Sequence, residues 1–468
     1  MTEELHWMTA ADLVRGYERG DFTPVEAAEA VFARIDAVDG KLNCFRELDQ
    51  DRAMAAAADS AARWKAGAPL SPIDGVPTGI KDLFEVEGLR NRKGSKTTPD
   101  EPSGFDCPAV ARLRAAGAVI TGKTNMPEFG WKGVNDSPLT GITRNPWDTN
   151  TTPGGSSGGA SAACAAGMGP LHIGTDGGGS IRIPAAFAGI VGHKAHFGRV
   201  PYYPASAMGT LAHAGPLART VSDTLLMLNA MMGEDTHDWF SIPSPKIHGR
   251  AIEGGVKGLR IAYSPRLGYA RVDEEVAASV KAAAETLAEL GAEIIEVDPG
   301  FDDPADIFNV LWQSGAHGSF RHLDAARKAE MDPGLQKVLE VAEGISLGDY
   351  MDAQKARADL GTSVKLFMAD YDALITPSLA VPAFEAGRLV PEDWDENASN
   401  GWIVWTPFSY PFNLTQQPAC SVPCGFTKAG LPVGLQVVGR MFDDTTVLRI
   451  ARAYEEANPV ATSRRPEL

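Results

Sequence analysis

Gly154-Gly155-Ser156-Ser157-Gly158-Gly159, followed by Gly174-Thr175-Asp176-Gly177-Gly178-Gly179-Ser180-Ile181-Arg182, is the stretch whose reading decides the fold. Glycine lacks a Cβ, so backbone N–H groups in such runs can approach a ligand closely. A serine beside several free N–H groups can be a nucleophile facing its own oxyanion hole. The commoner uses of a glycine-rich loop are a tight turn or a phosphate cradle. The phosphate readings fail. Ala160 and Ser161 follow Gly159 where a Walker A loop needs lysine, and Arg182 stands where G-x-G-x-x-G needs its last glycine.

Gly154-Gly155-Ser156-Ser157-Gly158 does satisfy G-x-S-x-G, the nucleophile elbow. That elbow requires a buried strand running into the serine, whereas Asn145–Pro153 is a polar, turn-rich loop, and none of His193, His196 and His213 is marked as a base. Ser180 fits a nucleophile better. Leu171–Thr175 reads as a strand end, and Ile183-Pro184 opens an apolar helix, where proline suits the first turn. The N–H groups of Gly177, Gly178, Gly179 and Ser180 then gather before a helix N-terminus, an oxyanion hole by composition. The base need not be histidine, because burial can lower a lysine from about 10.4 toward 7–8. Lys81 lies in the largely apolar segment Val76–Phe84; taken alone, it reads as a surface lysine at a strand end.

These blocks resemble the amidase signature family of serine hydrolases. Ser180 matches the acyl-forming nucleophile that closes the G-T-D-x-G-G-S-I-R block. Ser156 matches the bridging serine that follows a cis peptide bond, and Lys81 the general base of the G-x-P-x-x-x-K-D block. Ser157, Asp176 and Arg182 match supporting positions. Gly122–Gly130, Thr143–Trp147, Gly215–Thr220 and Gly430–Gln436 are similar to further family blocks, together spanning roughly residues 70–440. The resemblance implies an α/β/α sandwich around a central mixed sheet and hydrolysis of C–N bonds through a serine acyl-enzyme. Two positions depart from the family pattern. His172 replaces a small residue and reads as a core or supporting histidine; Cys164 replaces an aliphatic one.

Composition agrees with a globular enzyme of 468 residues, 44% hydrophobic and 22% charged. A net charge of −17 argues against nucleic-acid and anionic-membrane partners. No apolar run reaches membrane-spanning length, and Met1–Gly20 lacks the pattern of a signal peptide. A cytoplasmic location follows as the expectation, with a small-molecule amide or carbamate as partner and a homodimer compatible with the reading. Cys44, Cys107, Cys164, Cys420 and Cys424 form no disulfide framework, and Cys420–Cys424 reads as buried strand. His193 and His196 lack metal-site spacing. No metal and no cofactor are expected.

Along the chain, residues 8–66 read as helical, with Val25, Ala28, Phe32 and Ile35 on one face. Residues 107–130 read as helix, strand Val119–Thr121 and helix start, and 160–167 as a helix of small residues. Strands at 258–264 and 292–298 flank a helix at 274–290, a βαβ-like unit. A single domain over 1–468 is expected: an N-terminal helical arm (1–66), a signature core (70–225), and a variable substrate-site cap. The cap comprises a helical insertion at 301–360, with Phe308, Trp312, His317 and Phe320, and a loop at 385–405, with Trp394, Trp402 and Trp405. The tryptophans and Tyr202-Tyr203, where they face the site, favour an aryl or bulky apolar amide or carbamate, as for a urethanase. Two other readings stand beside this one. The first is the glutaminase subunit of a tRNA-dependent amidotransferase, against which Gly192-His193-Lys194-Ala195-His196 departs from that subunit's Gly-Leu-Lys-Pro-Thr. The second is a non-catalytic binding protein on the same fold.

Overall fold

Strands that are mostly buried on both faces, except at the two edges of the sheet, carry the architecture of the computed structural model, which describes residues 5–394 and 401–468. In chain order they are β1 (Phe45–Leu48), β2 (Pro77–Lys81), β3 (Val119–Thr124), β4 (Leu171–Asp176), β5 (Val191–Lys194), β6 (His213–Ala218), β7 (Arg260–Tyr263), β8 (Glu293–Glu296), β9 (Ala373–Pro377), β10 (Ala419–Phe426) and β11 (Pro432–Gly439). They form one eleven-stranded sheet in the order β1-β3-β2-β4-β6-β5-β10-β11-β9-β7-β8. Pairing is parallel for β3/β2, β2/β4, β9/β7 and β7/β8 and antiparallel elsewhere. Alternate residues of a strand face opposite sides. Accordingly Ile261, Ile375 and Val437 enter one apolar cluster, and their neighbours Ala262, Leu374 and Val438 another. The result is the expected α/β sandwich around a mixed sheet.

The helices are α1 (Ala10–Arg19), α2 (Pro24–Leu42), α3 (Gln50–Lys65), α4 (Pro108–Ala115), α5 (Gly158–Ala165), α6 (Arg182–Ala188), α7 (Val221–Met231), α8 (Glu274–Glu289), α9 (Ala305–Phe320), α10 (Ala325–Ala329), α11 (Pro333–Ala342), α12 (Leu347–Phe367), α13 (Pro411–Leu414) and α14 (Asp444–Ala457). Local signals set many of their ends. Thr23 and Glu26 form a capping box ahead of Pro24, and Asn43 closes α2 in the left-handed region. No helix among the described residues is long and apolar enough to cross a membrane.

The N-terminal arm departs from the all-helical expectation. Strand β1 interrupts it, with Phe45 opposite Thr124 and Leu48 opposite Gly122 in β3. Four residues are too few to carry a period, so only the neighbouring edge of β3 makes them a strand. The βαβ unit is present: β7, α8 and β8, with Glu293 paired in parallel to Arg260. Residues 301–360 are helical as expected, and the insertion's last helix, α12, runs on to Phe367. Cys420 and Cys424 lie in β10, and all five cysteines are free and buried.

Helix α5 shows what close packing demands. A Cβ on Gly159 would lie 2.6 Å from the backbone N and O of Asn125 and from the carbonyl of Cys44. Gly40, on the exposed face of α2, has nothing within 4 Å. Alanine is the better helix former at both positions, yet the outcomes should differ in sign. Gly40→Ala is expected to stabilise by about 0.5–1 kcal/mol, and Gly159→Ala to destabilise by about 1–3 kcal/mol through overpacking. Urea unfolding measures both; shifts of the same sign would contradict the packing at α5.

Candidate active site

Because β2 and β4 run parallel, their C-terminal ends meet at the same end of the sheet, where an α/β fold commonly binds ligands. Lys81 ends β2, and Thr175 and Asp176 end β4. Lys81 is fully buried, so the surface reading of its local sequence does not hold. Its Nζ lies 2.7 Å from Ser156 Oγ, 3.0 Å from Ser157 Oγ and 2.8 Å from Thr175 Oγ1. Burial drives the Lys81 amine well below the usual lysine value, with Asp176 opposing through its charge.

The Ser157 hydroxyl hydrogen fixes the direction of one of these bonds. Ser157 Oγ donates to the Thr175 carbonyl at 3.2 Å, so toward Lys81 it can only accept. A neutral amine has two hydrogens and one lone pair. Donation to Ser157 uses one hydrogen, so the other hydrogen and the lone pair serve the Thr175 and Ser156 hydroxyls. Thr175 lies within the quoted motif but carries no role in the sequence reading; its side chain proves to be one of the lysine's three partners.

Ser156 follows a cis peptide bond at Gly155-Ser156, as the resemblance implies. Its loop tolerates no side chain before it, since a Cβ on Gly155 would lie 2.5 Å from the Val134 carbonyl. Ser180 stands between β4 and α6, and the Ser157 N–H donates to its carbonyl at 3.2 Å. Ser156 and Ser180 are both 2% exposed and are not hydrogen-bonded to each other.

Asp176 and Arg182 shape the turn that carries Ser180. Arg182 Nε lies 2.9 Å from Asp176 Oδ2, and both side chains are fully buried. Burial alone would raise the Asp176 carboxyl; the Arg182 guanidinium, Lys194 and Asn413 hold it well below the usual carboxylate range. Arg182 also donates to Gln436 Oε1 at 2.8 Å and to Asn413 Oδ1 at 2.7 Å, while Asn413 Nδ2 donates to Asp176 Oδ1 at 2.8 Å. Asp176 Oδ1 further accepts the Gly179 N–H at 2.7 Å. That bond corrects the composition-based oxyanion set, because the carboxylate has already engaged the Gly179 donor. The N–H groups of Gly177, Gly178 and Ser180 make no hydrogen bond among the described residues. Ser409 Oγ donates to the Gly178 carbonyl at 2.7 Å, which fixes that peptide's orientation. Asn413, Gln436 and Ser409 escape sequence reading because they come from the distant C-terminal part of the chain.

Aromatic rings close over the glycine turn. A Cβ on Gly177 would lie 3.0 Å from Trp312, and one on Gly178 would lie 2.6 Å from Phe308 and 3.1 Å from Trp402. Phe308 and Trp312 come from α9 and stack at 5.2 Å; Trp402 comes from the short turn Gly401–Trp405. Side chains from both segments, 301–360 and 385–405, thus lie over the glycine turn, and residues 395–400 of the second lie outside the described residues. Trp405 instead stacks on Phe187 at 5.6 Å, Trp394 lies against Arg271, and Phe320 packs on Phe129 at 4.4 Å. Tyr202 and Tyr203 stand apart from this roof, against Phe84 and Phe105.

His172 is buried against Gly79, where a Cβ would lie 2.2 Å from its Nδ1, and burial pulls its pKa down to about 3. It is a neutral core residue. His193 and His196 both bind Asp444 of α14. Among the described residues no group of three or more histidine, cysteine or carboxylate side chains could hold a metal ion.

Lys81 and Ser156 thus meet close to Ser180 on its glycine turn, on an α/β/α scaffold. The family model described as Amidase matches residues 26–448, and the chain belongs to this family, the amidase signature enzymes. It is 40% identical over 471 residues to an acylamidase of Rhodococcus erythropolis, covering 99% of this chain and 98% of that one. It is 35% identical to a glutamyl-tRNA(Gln) amidotransferase subunit of Chloroflexus aggregans, over 99% of both chains. The crystal structure of a bacterial aryl acylamidase superposes with a TM-score of 0.90 at 28% identity, covering 98% of this chain and 99% of that one.

Removing one partner of a buried ion pair strands the other charge. Asp176→Asn is therefore expected to lower unfolding free energy by about 3–5 kcal/mol, read from chemical denaturation. A loss below about 1 kcal/mol would show that Arg182 does not depend on this carboxylate.

Proposed function

We propose that the chain hydrolyses aryl or bulky apolar amides, and carbamates by the same chemistry, through an acyl-enzyme on Ser180. The observation that carries this reading is the buried Lys81 amine, which hydrogen-bonds only to hydroxyls, Ser156 among them, so that its neutral form has a lone pair for one of them. In the first half-reaction neutral Lys81 takes the Ser156 proton while Ser156 takes the Ser180 proton. Ser180 Oγ bonds to the carbonyl carbon, and the N–H groups of Gly177, Gly178 and Ser180 receive the oxyanion. The C–N bond then breaks, and the leaving nitrogen takes a proton from Ser156, which Lys81 replenishes. In the second half-reaction water attacks the ester with the same groups as base, and the acid departs from Ser180.

The aromatic roof of Phe308, Trp312 and Trp402 supports an apolar substrate. The relation to the glutamyl-tRNA(Gln) amidotransferase supports a second reading, glutamine hydrolysis within a larger assembly. Rings over Gly177 and Gly178 offer no counter-charge to the carboxylate and ammonium of an amino acid, and the Gly192–His196 segment departs from the pattern of the glutaminase subunit. Turnover of anilides, aliphatic amides, carbamates and glutamine separates the two, with glutamine expected to be the poorest.

A fluorophosphonate probe should label Ser180, and Ser180→Ala should abolish labelling; mass-spectrometric label on Ser156 would overturn the assignment. Amide hydrolysis should rise with pH, because the active form is neutral Lys81, and the midpoint should lie below the ordinary lysine value of about 10.4. Lys81→Ala should cost about 10²–10⁴-fold in amide turnover and less with esters, whose leaving groups need no proton. An unchanged pH–rate profile in Lys81→Ala would remove Lys81 from the mechanism.

A further inference from the structure

Beside the candidate active site, the connection from β5 to β6 and residues 237–240 enclose a cleft of about 610 Å³, counting its open mouth. The cleft adjoins the Lys81 side of the reacting groups. His213 and Ala214, which line it, pair in register with Asp176 and Thr175, and Thr175 Oγ1 is a partner of Lys81. From there an aromatic wall runs outward. Phe197 packs edge-on to His213 at 5.6 Å, Phe240 to Phe197 at 5.3 Å, and Trp239 lies 4.0 Å from Phe240. Tyr202 also lines the cleft. Trp239 is 84% exposed, an unusual place for the largest apolar side chain in a chain of net charge −17.

The cleft also holds an unsatisfied polar atom. His213 Nδ1 lies 2.8 Å from the Leu211 carbonyl and 3.2 Å from that of Asp176, so Nδ1 carries the hydrogen. The lone pair therefore sits on Nε2, which is buried and finds no partner among the described residues. A hydrogen-bond donor on a ligand would satisfy it.

The two sides of the scissile bond have different needs. The leaving nitrogen must receive a proton from the Lys81–Ser156 pair, so the amine belongs on the side of Lys81 and Thr175. The other side, over Gly177 and Gly178, is closed by Phe308, Trp312 and Trp402. Resting on the amidase reading above, we infer that the cleft is the leaving-group subsite and takes the ring of an aromatic amine, packed between Tyr202 and Phe240 with Trp239 at the mouth. The chain thereby selects aromatic character on the nitrogen side of the bond, and the roof over the glycine turn keeps the acyl side small.

Acetanilide and acetamide share an acyl group and differ only in the amine; benzamide and acetamide share ammonia and differ only in the acyl group. Phe240→Ala should lower the acetanilide/acetamide ratio of kcat/KM about tenfold and raise the inhibition constant of free aniline, while the benzamide/acetamide ratio holds. Trp239→Ala, at a more exposed position, should lower the first ratio in the same direction. Thermal melts confirm that both variants fold. An acetanilide ratio that holds in both variants, or a benzamide ratio that falls equally, would overturn the subsite. Failure of the wild-type protein to turn over any of the three amides would overturn the amidase reading itself.

Discussion

A lysine amine with no access to water, hydrogen-bonded to three hydroxyls and to no carboxylate, is the constraint on which the site depends. A charged ammonium there would lack the solvation that water or an adjacent anion supplies. Asp176, on the next strand, is buried as deeply but meets Arg182 face to face. Both neighbouring groups are pushed below their usual values, by Arg182 for the carboxylate and by burial for the amine, which favours the ionised form of the first and the neutral form of the second. The first secures the shape of the glycine turn, and the second is the group that serves as base in the proposed mechanism.

The sheet makes this pairing possible. Parallel alignment of β2 and β4 puts Lys81 and Thr175 at one end of the sheet, with Thr78 opposite Leu171 and Ile80 opposite Ile173. Helices α5 and α6 then begin at that end, one after Ser156 and Ser157 and the other after Ser180. Small residues throughout α5 let it settle against the sheet, as the absence of room for a Cβ on Gly159 indicates. The C-terminal part of the chain adds the polar ties to Arg182 and the Gly178 carbonyl, and α9 with Trp402 adds the aromatic cover. The site thus draws on elements from the whole length of the protein.

What the sequence made legible follows from how local each feature is. Ser156, Ser180 and the donors of the glycine turn are read from short motifs because glycine itself reports close backbone approach. The helical insertion and the βαβ unit show in their apolar periodicity. Lys81 is harder, since nothing in its neighbours distinguishes a buried lysine from a surface one; only resemblance assigned it a role. The engagement of the Gly179 N–H by Asp176 depends on a side-chain direction that composition does not contain. Strand β1 and the contributions of Asn413, Gln436 and Ser409 depend on distant partners. Tyr202 lies near enough in sequence to the motifs to be grouped with the tryptophans, yet it faces a different cavity.

The ionisation of Lys81 is the most direct test of this account. With lysines labelled at the ε carbon with ¹³C, and the Lys81 resonance assigned by its loss in Lys81→Ala, NMR titration follows this one amine through the pH range. The account predicts a midpoint well below that of the surface lysines, which titrate near about 10.4. A Lys81 resonance that titrates together with them would contradict it.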